Sequence, residues 1–174
     1  MEDFAMKAIV LMAILSPLAS VQAAAAPAQL HNKSVVIAWS ESIQEKNEAG
    51  QTINTSLSRE RIAYVSSAGR VFVRATQSTR NAQKKSELAP GAAPGTLAFQ
   101  GNSLVGTAVF AGFARRITVT FDAGFSGCSA SVVYGKAGGP RTWKSLDGKQ
   151  TLEVQSISVG GASCSVREGN LVAN

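Results

Sequence analysis

The feature that most limits the fold is the short interval between turn-forming clusters. Residues 47–50, 67–69, 101–102, 111–112, 124–127, 138–140, 147–148 and 160–161 are rich in Gly, Asn, Asp, Ser and Pro. Breaks about every ten residues leave no space for long helices and suit antiparallel strands. Between the breaks the chain alternates. Ile117, Val119 and Phe121 hold one parity while Arg116, Thr118 and Thr120 hold the other, and Val35, Ile37 and Trp39 alternate with Ser34, Val36 and Ala38. Ile62 with Tyr64, Val71 with Val73, and residues 131–134 behave alike. A period of two places such residues on opposite faces of a pleated strand. The expected fold is therefore all-β, a single antiparallel β-barrel or β-sandwich of meander type with about eight to ten strands.

Residues 1–26 are a different material. Ala8 to Leu15 is an unbroken apolar run, closed by Ser16-Pro17 and followed by small residues through Ala26. That order is the pattern of a secretory signal peptide, expected over residues 1–23 with cleavage after Ala23. Glu2 and Asp3 precede the cation Lys7, which makes Met6 the better initiator. The run is too interrupted for a membrane-spanning helix, which needs about 18 or more apolar residues. The mature product is expected to be exported, periplasmic or extracellular, with no stable membrane insertion. Residues 24–33 then form an N-terminal extension and residues 34–174 a single β domain. With 174 residues the chain has room for one ordinary domain.

Two turns have specific chemistry. Gly101-Asn102 suits a type II′ hairpin and Asp147-Gly148 a type I′ hairpin. The second pairs Leu146 with Lys149, and its register nearly brings Cys128 opposite Cys164, a slip that a bulge near residues 138–140 would absorb. A disulfide between Cys128 and Cys164 is expected to staple the ends of one long ribbon in an oxidising compartment. Residues 40–50 carry a helix-like N-cap and terminal Gly, but Ile43 is their only large apolar residue, so strand running into an exposed loop is expected. Residues 78–95 hold Arg80, Lys84 and Lys85 and then a Pro/Gly/Ala tract. So little burial cannot offset the entropy of ordering, and a mobile loop is expected.

The side chains narrow the chemistry further. His31 is the sole histidine and lies close to the expected mature terminus, where solvation is the ordinary fate. One His and two bonded Cys are too few for a zinc site, so no metal and no cofactor is expected. Glu41, Glu45 and Glu48 crowd one polar stretch, Glu87 falls in the expected loop, and Asp147 serves its turn. Glu60, Asp122, Glu153 and Glu168 remain as possible acid–base residues, with Asp122 placed at a strand end where turn capping is common. No nucleophile elbow, phosphate loop or dinucleotide fingerprint occurs. No catalytic residue is expected.

Cations outnumber anions, 17 to 11. Arg59 and Arg61 share a strand face by parity, as do Arg70 and Arg74; Arg115 and Arg116 open another strand, and Arg141 and Lys144 flank the Asp-Gly hairpin. If these converge, they form an anion-binding surface. Aromatics are not interleaved with them, which argues against nucleic acid. Phe99, Phe110, Phe113, Phe121, Phe125 and Trp143 are candidate lining for an apolar interior. The expected function is a non-catalytic binding module for a small apolar ligand or an anionic envelope glycan or lipid. A structural or interaction protein of the envelope, or an inhibitor of an extracytoplasmic enzyme, is the alternative, and a carboxylate-dependent hydrolase comes after it.

Overall fold

The computed structural model describes residues 25–80, 82–88 and 97–173. They form eleven strands and one short 3-10 turn, η1 (Ala28–Leu30), with no α-helix among the described residues. The strands are β1 (Lys33–Lys46), β2 (Thr52–Val65), β3 (Val71–Ser78), β4 (Gln83–Leu88), β5 (Ala98–Gln100), β6 (Ser103–Phe110), β7 (Phe113–Phe121), β8 (Cys128–Lys136), β9 (Thr142–Lys144), β10 (Thr151–Val159) and β11 (Ser163–Glu168). The larger sheet has the order β4-β3-β2-β1-β10-β9, with β11 also paired to β1. The smaller sheet is the meander β5-β6-β7-β8. All pairings are antiparallel, and the sheets curve into a half-barrel.

The interior follows from parity. On β1, Val35, Ile37, Trp39, Glu41, Ile43 and Glu45 are all buried, while Ser40, Ser42 and Gln44 are exposed. The opposing strand β2 pairs Val35 with Ala63 and Trp39 with Arg59, so its inward row is Leu57, Arg59, Arg61, Ala63 and Val65. The smaller sheet packs Phe99, Leu104, Ile117, Val119, Phe121 and Val132 onto this face, joining both sheets in one apolar cluster. A second cluster forms around Ile43, Leu57 and Val154, with Phe110, Phe113 and Trp143 against it.

Strands β10 and β11 together run along one edge of β1, and two irregularities change their parity. Gln44 pairs with Ser156 but Glu45 with Val154, leaving Gln155 as an extra residue. Glu41 pairs with Val159 and Ala38 with Ser163, so Trp39 and Ser40 oppose three residues, Gly160, Gly161 and Ala162. Each extra residue is a β-bulge that turns the next side chain to the other face. Leu152 and Val154 can thus face inward at even positions, as can Cys164 and Val166, with Ile157 at an odd one between them.

Several expectations are corrected. The disulfide joins Cys128 and Cys164, with Cα atoms 5.7 Å apart, but it does not close a ribbon. Strand β8 pairs with β7 in the smaller sheet and β11 with β1 in the larger, so the bond staples sheet to sheet. The Asp147-Gly148 hairpin keeps the expected register, pairing Trp143 with Leu152. Its turn differs: Gly148 N–H donates to Ser145 C=O and only Gly148 has positive φ, the pattern of a type I turn followed by a left-handed glycine. Type I′ geometry occurs instead at Ala111-Gly112, with φ of 45° and 74° between paired Phe110 and Phe113.

The segment read as a loop over 78–95 contains β4, held to β3 by pairings from Ser78–Gln83 to Val73–Leu88. Backbone hydrogen bonds to β3 order this segment, and lysines suit a sheet edge. Residues 89–96 and the expected signal segment 1–23 lie outside the described residues. The N-terminal extension is also better anchored than expected. Leu30 is fully buried in the main cluster, and the His31 ring lies over Gly69.

Candidate functional site

Two carboxylates on the inward row of β1 make this interior unusual. Parity carries Glu41 and Glu45 inside with Trp39 and Ile43, and neither is exposed to solvent. Each receives the indole N–H of one of the protein's two tryptophans. Trp39 Nε1 donates to Glu41 Oε1 at 2.7 Å, and Trp143 Nε1 donates to Glu45 Oε2 at 2.7 Å.

Glu41 organises an ionic layer between the two apolar clusters. The Tyr134 hydroxyl, arriving from β8, donates to its Oε1, and Arg59 Nε, from β2, donates to its Oε2 at 2.5 Å. Arg115 Nη1, from β7, lies 3.9 Å from Oε1 and donates to the Tyr134 hydroxyl at 3.4 Å. Arg59 Nη1 reaches Gln77 Oε1 on β3, and its guanidinium lies 4.8 Å from the Phe110 ring centre. Arg61 and Arg115 both lie over Trp39, at 5.6 and 5.4 Å, within cation–π range. Burial pushes the Tyr134 phenol up to about 12, with its bond to Glu41 acting in the same direction. Burial, then the charges of Arg115 and Arg59, lowers Arg61 to about 10.

Glu45 is wired differently. Thr55 Oγ1 is its second donor, and no cation lies within ion-pair distance among the described residues. Thr55 and Trp143 are also walls of an open concavity of about 460 Å³ at the end of the half-barrel. Ile53, Leu146 and Leu152 give it apolar surface; Asn54, Gln150 and Arg80 give it polar groups. Glu45 therefore lies behind the wall and fixes the Trp143 ring, whose other support is an edge contact with Phe110 at 5.2 Å.

The structure brings together three of the eight cations singled out as anion-binding: Arg59, Arg61 and Arg115. They converge inside and not on an outer face. Arg70 is exposed beside Phe72, Arg74 donates to Val172 C=O, and Arg141 lies over Phe113. Arg116 and Lys144 point to solvent. The four carboxylates considered for acid–base work do not meet. Asp122 accepts from Ser126 N–H and Gly127 N–H in the turn after β7, and these bonds, Ser126 first, hold its carboxyl below the ordinary range. Glu168 pairs with Lys33 at the surface, Glu153 is exposed, and Glu60 lies on the outer face of β2. Of the candidate lining aromatics, Phe99, Phe121 and Phe125 pack together in the main cluster, Phe110 and Phe113 pack against the second, and Trp143 reaches a concavity.

Sequence reasoning missed Glu41 and Glu45 by treating residues 41–48 as one polar stretch. The signal was present, since both share the parity of Val35, Ile37, Trp39 and Ile43. No group of three or more His, Cys, Asp or Glu gathers as metal ligands among the described residues, and none of their helices is long and apolar enough to cross a membrane. Comparison with protein-family models, curated proteins and solved structures finds no match.

Proposed function

We propose that this chain is an exported, non-catalytic binding module that seats a small amphipathic molecule in the mouth of its half-barrel. The observation that carries the reading is the concavity of about 460 Å³ beside Trp143. Ligand sites are commonly about 300–1,000 Å³, mostly apolar with a few placed polar groups, and barrel mouths are a preferred location. Ile53, Leu146, Leu152 and Trp143 would take an apolar body, while Asn54, Gln150 and Arg80 would orient a polar end. Trp143 is preorganised by its bond to Glu45, which lowers the entropic cost of binding.

The non-catalytic part rests on the carboxylates. Glu41 and Glu45 are both buried and enclosed by hydrogen bonds. Glycoside hydrolysis needs two carboxyl groups that face the substrate, and neither of these is presented to a bound molecule. Export is supported by the bonded cysteines and by the apolar run before residue 16. An anionic partner held on an outer basic face is less well supported, because three of the arginines turn inward.

The test uses anilinonaphthalene sulfonate as a probe, with excitation transferred from tryptophan. The expected result is saturable one-to-one binding. Leu146→Arg should weaken it by roughly tenfold or more, and Trp143→Phe should reduce the transfer to the part contributed by Trp39. Non-saturable binding, or equal affinity in Leu146→Arg, overturns the reading.

A further inference from the structure

We infer that Arg61 and Arg115 hold a chloride-sized monovalent anion in a small cavity between the two sheets. This site is separate from the mouth. The cavity is about 70 Å³ and is walled by Arg61, Arg115, Val73, Leu97, Gly106 and Ile117. Thr107 and Ala108, both exposed, complete its lining.

The argument is one of charge. Among the described residues, the guanidinium groups of Arg59, Arg61 and Arg115 stand in one layer against a single carboxylate, Glu41. Arg59 takes Glu41 Oε2, while Trp39 and Tyr134 take Oε1 and keep Arg115 at 3.9 Å. Arg61 makes no ion pair among the described residues and donates only to its neighbour's backbone, Glu60 C=O, at 3.0 Å. Arg115 is 6% exposed and keeps a buried Nε–H without an acceptor. Uncompensated charge is costly away from water, so such a layer favours a counter-ion. The phenol of Tyr134 does not supply it, because its proton is retained to about pH 12. Arg61 stays a cation at neutral pH even with its proton affinity lowered to about 10.

About 10–15 Å³ of cavity space is enough for one water. A cavity of about 70 Å³ therefore has room for a small inorganic anion such as a halide. Apolar walls at Val73 and Ile117 suit a weakly hydrated ion held by guanidinium N–H groups. Water alone would satisfy hydrogen bonds and leave the charge unbalanced.

Thermal unfolding of the full chain at constant ionic strength, with sodium gluconate replaced stepwise by sodium chloride, tests the site. Above half-saturation the midpoint should rise by about 3–5 °C for each tenfold increase in chloride. Arg61→Gln should abolish that slope, Arg61→Lys should keep part of it, and the mouth variant Leu146→Arg should keep all of it. A flat response in the parent protein, or an equal slope in Arg61→Gln, overturns the proposal. Should Arg61→Gln fail to fold, a bromide-soaked crystal of the parent protein decides: an anomalous peak between Arg61 and Arg115 supports the site, and its absence overturns it.

Discussion

Glu41 accepts hydrogen bonds from Trp39, Tyr134 and Arg59 inside the protein, so removing its charge strands two buried guanidiniums, Arg59 and Arg115. Glu41→Gln is expected to cost about 3–5 kcal/mol, read from urea unfolding, as for other buried pairs broken on one side. Tyr134 gives a spectroscopic check. Its folded value of about 12 exceeds the ordinary phenol value, so its contribution is complete below pH 10 and fades as pH rises through 12. Absorbance at alkaline pH should show one late-ionising tyrosine, missing in Tyr134→Phe. Asp122 acts in the opposite sense. Its carboxyl is held below the ordinary range, so its contribution is present above that range and is lost as pH falls through the folded value. Asp122→Asn should flatten the acid limb of the stability profile. Parity makes Arg59 and Arg61 legible as sharing one face, yet it does not say which face is inside. That depends on their company, Leu57, Ala63 and Val65, and on a smaller sheet whose position no local pattern encodes.

At the scale of elements, the β6–β7 hairpin carries a strained turn. Ala111 has φ of 45°, a region that costs a non-glycine residue about 1–2 kcal/mol. Ala111→Val should destabilise by at least a further 1 kcal/mol or so, while Ala111→Asn should be neutral or stabilising, since Asn-Gly favours this turn. The β10–β11 bulge is a second tight place. A Cβ on Gly160 would meet the Ser40 hydroxyl, which has to turn to another rotamer, while Ser40 Cβ stays at an ordinary 3.6 Å. Gly160→Ala should therefore lower the thermal midpoint only slightly, and adding Ser40→Ala should remove that loss. The strands themselves were readable, because alternation and turn residues coincide over β1, β3, β7 and β8. Two features were not. Bulges at Gln155 and at Gly160–Ala162 reset the parity twice, which defeats any register counted outward from the Asp147-Gly148 hairpin. Strand β4 has no apolar alternation and is defined by its hydrogen bonds to β3.

Across the whole molecule, two sheets are held by an apolar cluster, an ionic layer and one covalent bond. The Cys128–Cys164 bridge spans 36 residues, and closing such a loop contributes about 3–4 kcal/mol by chain entropy. Reduction should lower the denaturation midpoint by a corresponding amount and loosen the sheet contact before either sheet melts. The pairing of the cysteines follows from compartment and count; the sheets it joins follow only from topology. The central claim is that each inward carboxylate of β1 holds one tryptophan, with Trp143 alone facing the mouth. The two indole N–H resonances of the labelled protein test it directly. Glu41→Gln should move and deprotect the Trp39 signal, Glu45→Gln the Trp143 signal, and an amphipathic probe should shift Trp143 while leaving Trp39 in place. Two freely exchanging indoles, or equal shifts of both on adding the probe, would contradict the account.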